Sequence, residues 1–178
     1  MNDMNFKFDL VDKYTPDVVI KEKIDQIEIA TKGYVKAYIK EYAGPVSSYH
    51  TRKLPLSEVI ANPWQGEERD VDIQEDLGEQ DKKDHRFEVY LNVKGLDYYK
   101  YRIMFVNYGT ISYPVTIVLE EDFAVEYCGR RSTTFQFDSM KMLEEMLDKI
   151  LQCKTMISLL QNLINEAIRQ ENKTSSTE

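Results

Sequence analysis

Apolar residues near the C-terminus recur in a strict seven-residue frame. Leu143, Ile150, Ile157 and Ile164 hold one seam position, and Met146, Cys153, Leu160 and Ala167 hold the other. This alternating spacing of three and four sets all eight side chains on one helical face. Asp148, Thr155, Asn162 and Arg169 fall on the polar back. Leu147, Leu151, Met156, Leu159, Leu163 and Ile168 widen the apolar band beyond a two-stranded seam. The pattern predicts helix from Met140 to about Gln170, with Asp138 or Ser139 as N-cap. Some thirty residues rising ~1.5 Å each would reach ~45 Å, whereas a domain of this length is roughly 40 Å across. The helix must therefore bend, split near Gln152–Thr155, or project.

Upstream, Phe6, Phe8 and Leu10 alternate with polar residues, as in a short strand or extended arm. Thr15-Pro16-Asp17 reads as a helix start, and Ile20, Ile24 and Ile27 keep helical spacing until Gly33 stops it. The stretch YVKAYIKEY, from Tyr34 to Tyr42, alternates strictly and is bounded by glycines, so it predicts a strand. Ser47 to Lys53 is a further strand candidate, Leu56 to Ala61 a single helical turn, and Trp64 a side chain closing the edge of the core. Five runs with strand character follow: Phe87 to Val93, Tyr98 to Tyr108, Val115 to Leu119, Phe123 to Tyr127 and Thr133 to Phe137. The links between them are too short for parallel crossovers, so they predict an antiparallel meander. The expected architecture is α+β: an N-terminal helix, a meander sheet of about five or six strands, and a C-terminal amphipathic helix or helical hairpin packed on the sheet. One domain over residues 1–178 is the default at this length.

Charge changes the picture locally. Gln65 to His85 holds nine acids and three bases, which is −6 of the net −8. That segment, with Glu67, Glu68, Asp70, Asp72, Glu75 and Asp76 at its start, predicts a mobile acidic loop. Residues 171–178 read as a polar tail. The local acidity repels free nucleic acid and attracts a basic protein partner. The N-terminus lacks the basic and apolar regions of a signal peptide, and no apolar run approaches a membrane span, so a cytoplasmic protein without a membrane contact is expected.

Candidate chemistry is sparse. Cys128 and Cys153 form no C-x-x-C, and the two histidines, His50 and His85, have no Cys or His near them, so no metal site and no cofactor are expected. Glu120, Glu121 and Asp122 in a turn, with Glu126 in the next predicted strand, could hold a divalent ion in a nuclease or hydrolase. Solvated turn acids are the simpler account. Tyr98, Lys100 and Arg102 share one face of a predicted strand and suit a protein contact, since Tyr and Arg are enriched at interface hot spots. On the helical ridge, Met146, Ile150, Ile157, Leu160, Ile164 and Ile168 are the expected oligomer or partner interface. The functional expectation is a non-catalytic, self-associating interaction protein of a bacterial-type cytosol. One version is an acidic inhibitor or immunity-type binder that covers a basic partner. The alternative is the metal-dependent enzyme.

Overall fold

The computed structural model of the protein describes residues 11–43, 46–49, 68–71 and 84–175. The N-terminal arm, the Leu56–Ala61 turn, Trp64, His50 and most of the acidic segment lie outside them.

Helix α1 (Pro16–Ala30) begins with proline at its first position and buries Val19, Ile20, Ile24 and Ile27. It ends where Thr31 turns its hydroxyl onto the Ile27 carbonyl at 2.8 Å and Gly33 takes φ +81°. The chain then enters β1 (Val35–Glu41). A two-stranded antiparallel pair, β2 (Val46–Tyr49) and β3 (Glu68–Val71), comes next. Glu68 and Asp70, expected in a mobile loop, therefore belong to a paired strand.

The main sheet is completed by β4 (His85–Val93), β5 (Leu96–Tyr108), β6 (Val115–Leu119) and β7 (Thr134–Phe137), in the order β1-β4-β5-β6-β7. Every pairing is antiparallel. Lys94-Gly95 makes the tight β4–β5 turn, with Gly95 at φ +81°.

Between β6 and β7 lies α2 (Glu121–Cys128), where a strand was expected. Phe123 to Tyr127 has the alternation of a strand, but its ends carry helix signals. The Glu120 carboxylate accepts from the Asp122 amide at 3.0 Å, Glu121 and Asp122 complement the dipole, and Gly129 closes the helix at φ +68°. Phe123 and Ala124 enter the core as neighbours on one helical side.

The C-terminal ridge splits, one of the three outcomes its length allows. Helix α3 (Met140–Gln152) is capped by Ser139, and Asp12 accepts from the Met140 amide at 2.8 Å. Cys153 is extended (φ −70°, ψ 159°), and α4 (Lys154–Ser175) starts immediately after it. The Glu126 carboxylate on α2 accepts from both Lys154 N and Thr155 N at 2.8 Å, while the Cys153 sulfur accepts from Met156 N at 3.3 Å. The first three amides of α4 are thus satisfied across the break. The Thr155 hydroxyl, together with the Thr155 and Lys154 amides, holds the Glu126 carboxyl well below its usual range, at about 2.

The extended residue at Cys153 also shifts the helical phase. Leu143, Met146, Leu147 and Ile150 are buried on α3, but on α4 the buried residues are Met156, Leu163 and, alone from the heptad frame, Ala167, while Leu160 and Ile164 are half-buried and Ile157 is exposed. These residues join α1 and one face of the sheet in a single apolar cluster. On β5 that face takes both Ile103 and Met104, because the pairing slips there: Val89 faces Met104, while Tyr90 faces Arg102.

Candidate functional site on the second face of the sheet

Alternation along each strand that turns one side chain toward the helices turns the next to the opposite face. The cross-strand register fixes which residues meet there. Tyr38 on β1 pairs with Tyr90 on β4, Lys40 with Glu88, Glu88 with Phe105 on β5, and Arg86 with Asn107. Phe105 in turn pairs with Val118 on β6. The slip at Ile103 moves Phe105 and Asn107 onto this face beside Arg102 and Lys100.

At its centre Glu88 is only 5% exposed. One of its oxygens accepts from the Lys100 ammonium, and the other from Arg102 Nε at 3.3 Å. A carboxylate this buried requires such partners. Aromatic rings surround the triad. Tyr38 and Tyr90 stack with centroids 5.5 Å apart, and Tyr42 and Phe105 tilt together at 5.0 Å. The Lys100 ammonium sits 4.2 Å from the Tyr90 ring centroid, and the Arg102 guanidinium 4.4 Å from that of Phe105. Among the described residues of this face the charged groups are Lys40, Arg86, Lys100 and Arg102 against one carboxylate, Glu88. Lys36 lies at the same edge but reaches Glu28 of α1 at 3.0 Å. A chain of net charge −8 therefore carries a locally cationic, aromatic sheet face.

Of the expected partner surface, Lys100 and Arg102 are brought together here, and Tyr98 lies on the same strand. Glu88, Tyr90, Tyr38, Tyr42, Phe105 and Arg86 were not singled out. For Glu88 and Tyr90 the signal was present in Phe87 to Val93, where they are positions that alternate with the apolar ones.

The expected ridge interface is only partly accessible. Met146 and Ile150 are 1% exposed and packed in the chain's own core, so they are not available to a partner. Leu160 and Ile164 are half-buried against the same core. Ile157 and Ile168 are exposed, at 48% and 39%.

The expected ion-binding carboxylates do not converge. Glu126 is on a helix, not a strand, and both its oxygens serve α4. Glu120 caps its own helix, and burial together with the neighbouring Asp122 pushes its carboxyl up. Among the described residues no group of three or more His, Cys, Asp or Glu is arranged to hold a metal ion. Of the acidic residues 67–76, Glu68 and Asp70 lie on β3, and Glu67, Asp72, Glu75 and Asp76 lie outside the described residues. Among the described residues, no helix is long and apolar enough to cross a membrane.

Fold and face together define an α+β protein with an antiparallel sheet, helices on one side and a charged aromatic surface on the other. No protein-family model, no curated protein and no solved structure matches the chain.

Proposed function

We propose that this protein is a non-catalytic protein-binding module whose contact surface is the second face of its central sheet. The observation that carries the reading is the Glu88–Lys100–Arg102 triad set among Tyr38, Tyr90, Tyr42 and Phe105. Interface hot spots are built from Arg and Tyr over a desolvated centre, with exposed polar groups around it. Here Tyr90, Phe105 and Val118 are already buried and form the floor of the face, while half-buried Tyr38, Tyr42 and Arg102 and exposed Lys40, Lys100, Thr134 and Gln136 are the side chains a partner would meet. The acidic 65–85 segment would meet a basic patch of the partner, as in an inhibitor, and the cationic sheet face would meet an acidic one, so that the two together fix orientation.

Self-association is a second reading, and the exposure of Ile157 and Ile168 on α4 favours it. Site-specific photo-crosslinking separates the two. With the crosslinker at Tyr38 or Lys40, the module reading expects adducts to a different protein in the native host. Self-association expects adducts to a second copy with the crosslinker at Ile157. Adducts from the helix positions alone would refute the sheet-face assignment.

A further inference from the structure

Arg86 and Asn107 face each other across β4 and β5 on the second face of the sheet. Arg86 Nε and Nη2 are both buried, and neither has a hydrogen-bond partner among the described residues. The same holds for the buried Asn107 Oδ1. A guanidinium stays charged at any pH a folded protein meets, so these donors cannot be silenced by losing a proton. Buried donors without acceptors are rare and costly. Glu88, two residues along the same strand, does not fill the role, because its two oxygens are held by Lys100 and Arg102.

Nε and Nη2 lie along one edge of the planar guanidinium. Their N–H bonds run parallel and match the two oxygens of a carboxylate. Asn107 Oδ1 needs a donor, which a bare carboxylate does not supply. A carboxylate with an N–H close by supplies both, and that is the chemistry of an acidic residue in a peptide or of a free amino acid. Phosphate fits less well. It seeks more donors than one fork offers.

We propose that Arg86 and Asn107 form a receptor for a carboxylate carried by another molecule, with an adjacent hydrogen-bond donor meeting Asn107. This deepens the reading of the sheet face as the contact surface and rests on it. It names a carboxylate of the partner as the group that docks there.

The test uses the full chain, observing the Arg86 Nε–Hε resonance and the melting temperature during titration. The probes are an N-acetylated acidic peptide, free glutamate, and inorganic phosphate at matched ionic strength. The peptide or glutamate should shift the resonance saturably and raise the melting temperature. Response to glutamate identifies a small-molecule source, and response to the peptide alone identifies a protein-borne one; either supports the receptor. Arg86→Lys keeps the charge but loses the fork, and should weaken binding by about tenfold or more. Asn107→Asp places a carboxylate directly across from Arg86. It should raise the melting temperature without ligand and abolish the response to the peptide. Phosphate binding as tightly as the peptide, an unchanged affinity in Arg86→Lys, or no carboxylate response would each overturn the proposal. Crosslinking at Tyr38 does not depend on Arg86. Adducts there without a carboxylate response would refute the receptor and leave the binding module standing.

Discussion

Ile150 and Ile157 stand seven residues apart in the same heptad position, yet only one belongs to the core. Ile150 is 1% exposed and Ile157 48%. Changing either to alanine removes three carbons. At Ile150 these are lost from a packed interior, so about 0.8 kcal/mol per carbon plus a cavity contribution predicts a loss of ~2–5 kcal/mol. At Ile157 roughly half the surface is already hydrated and solvent fills the space left behind. The cost there should be ~1 kcal/mol or less, reduced further by the higher helix propensity of alanine. For a chain of this size, Ile150→Ala should lower the melting temperature by about 5–15 °C, and Ile157→Ala by less than about 3 °C. Urea unfolding of both variants, at two protein concentrations, reads the difference. Equal losses would refute the phase reset at Cys153 and restore one continuous buried seam. A loss at Ile157 that grows with protein concentration would mean that a second copy buries it.

Glu126→Gln should weaken the attachment of α4 to α2 and flatten the acid limb of the stability curve. The native carboxyl sits at about 2, below its ordinary 4.5, so its contribution is present above about 4.5 and is lost as pH falls toward about 2. Melts across that window check the sign, and an unchanged acid limb in the variant would contradict it. Glu88→Ala strands the Lys100 and Arg102 charges. Breaking a fully buried pair costs ~3–5 kcal/mol, but both cations here are partly exposed, so a loss of about 1–3 kcal/mol is expected in urea unfolding. Tyr108→Phe removes the hydroxyl that donates to Asp17 Oδ1 at 2.6 Å. Burial pushes the Asp17 carboxyl up, but hydrogen bonds from Thr15, Tyr108 and backbone amides outweigh it and hold it low. Its titration, followed by NMR, should move upward in the variant. A static Asp17 would show that Tyr108 does not matter to it.

Where one local rule decided an element, the residues announced it. Pro16 and Gly33 bracket α1, alternation marks β1 and β4, and a short apolar run marks β6. The length of the C-terminal ridge against the width of the domain left bending, splitting or projection open, and the split falls within the Gln152–Thr155 window. Failures came where two rules compete. Phe123 to Tyr127 satisfies period two, but its end-caps favour a helix, and capping together with burial of Phe123 won. The heptad frame ran unbroken on paper because Cys153 is itself apolar. Nothing in its identity marks an extended residue, and the capping carboxylate that fixes it, Glu126, is 27 positions upstream. Lys100 and Arg102 were legible as a pair from spacing alone, but their partner Glu88 is contributed by the neighbouring strand, and single-strand periodicity carries no information about register.

The slip at Ile103 links the two faces of the sheet. The helix side gains two consecutive apolar residues, Ile103 and Met104, where strict alternation would give it one. From that point to the end of β5 every side chain exchanges faces relative to an unslipped strand. Met104, Val106 and Tyr108 therefore reach the core, and Phe105 and Asn107 reach the opposite side. Were Ile103 to take a regular paired position, Phe105 and Asn107 would turn to the helix side, Arg102 would lose its ring contact with Phe105, and Arg86 would lie across from Val106 instead of Asn107. The same backbone irregularity that completes the core beneath α1 and α3 thus assembles the charged aromatic surface. Deleting Ile103 removes the bulge and one core side chain but keeps Phe105 and Asn107 on the second face, so it should lower the melting temperature and spare that surface, whereas truncating Phe105 should act on the second face while leaving the helix-side cluster in place.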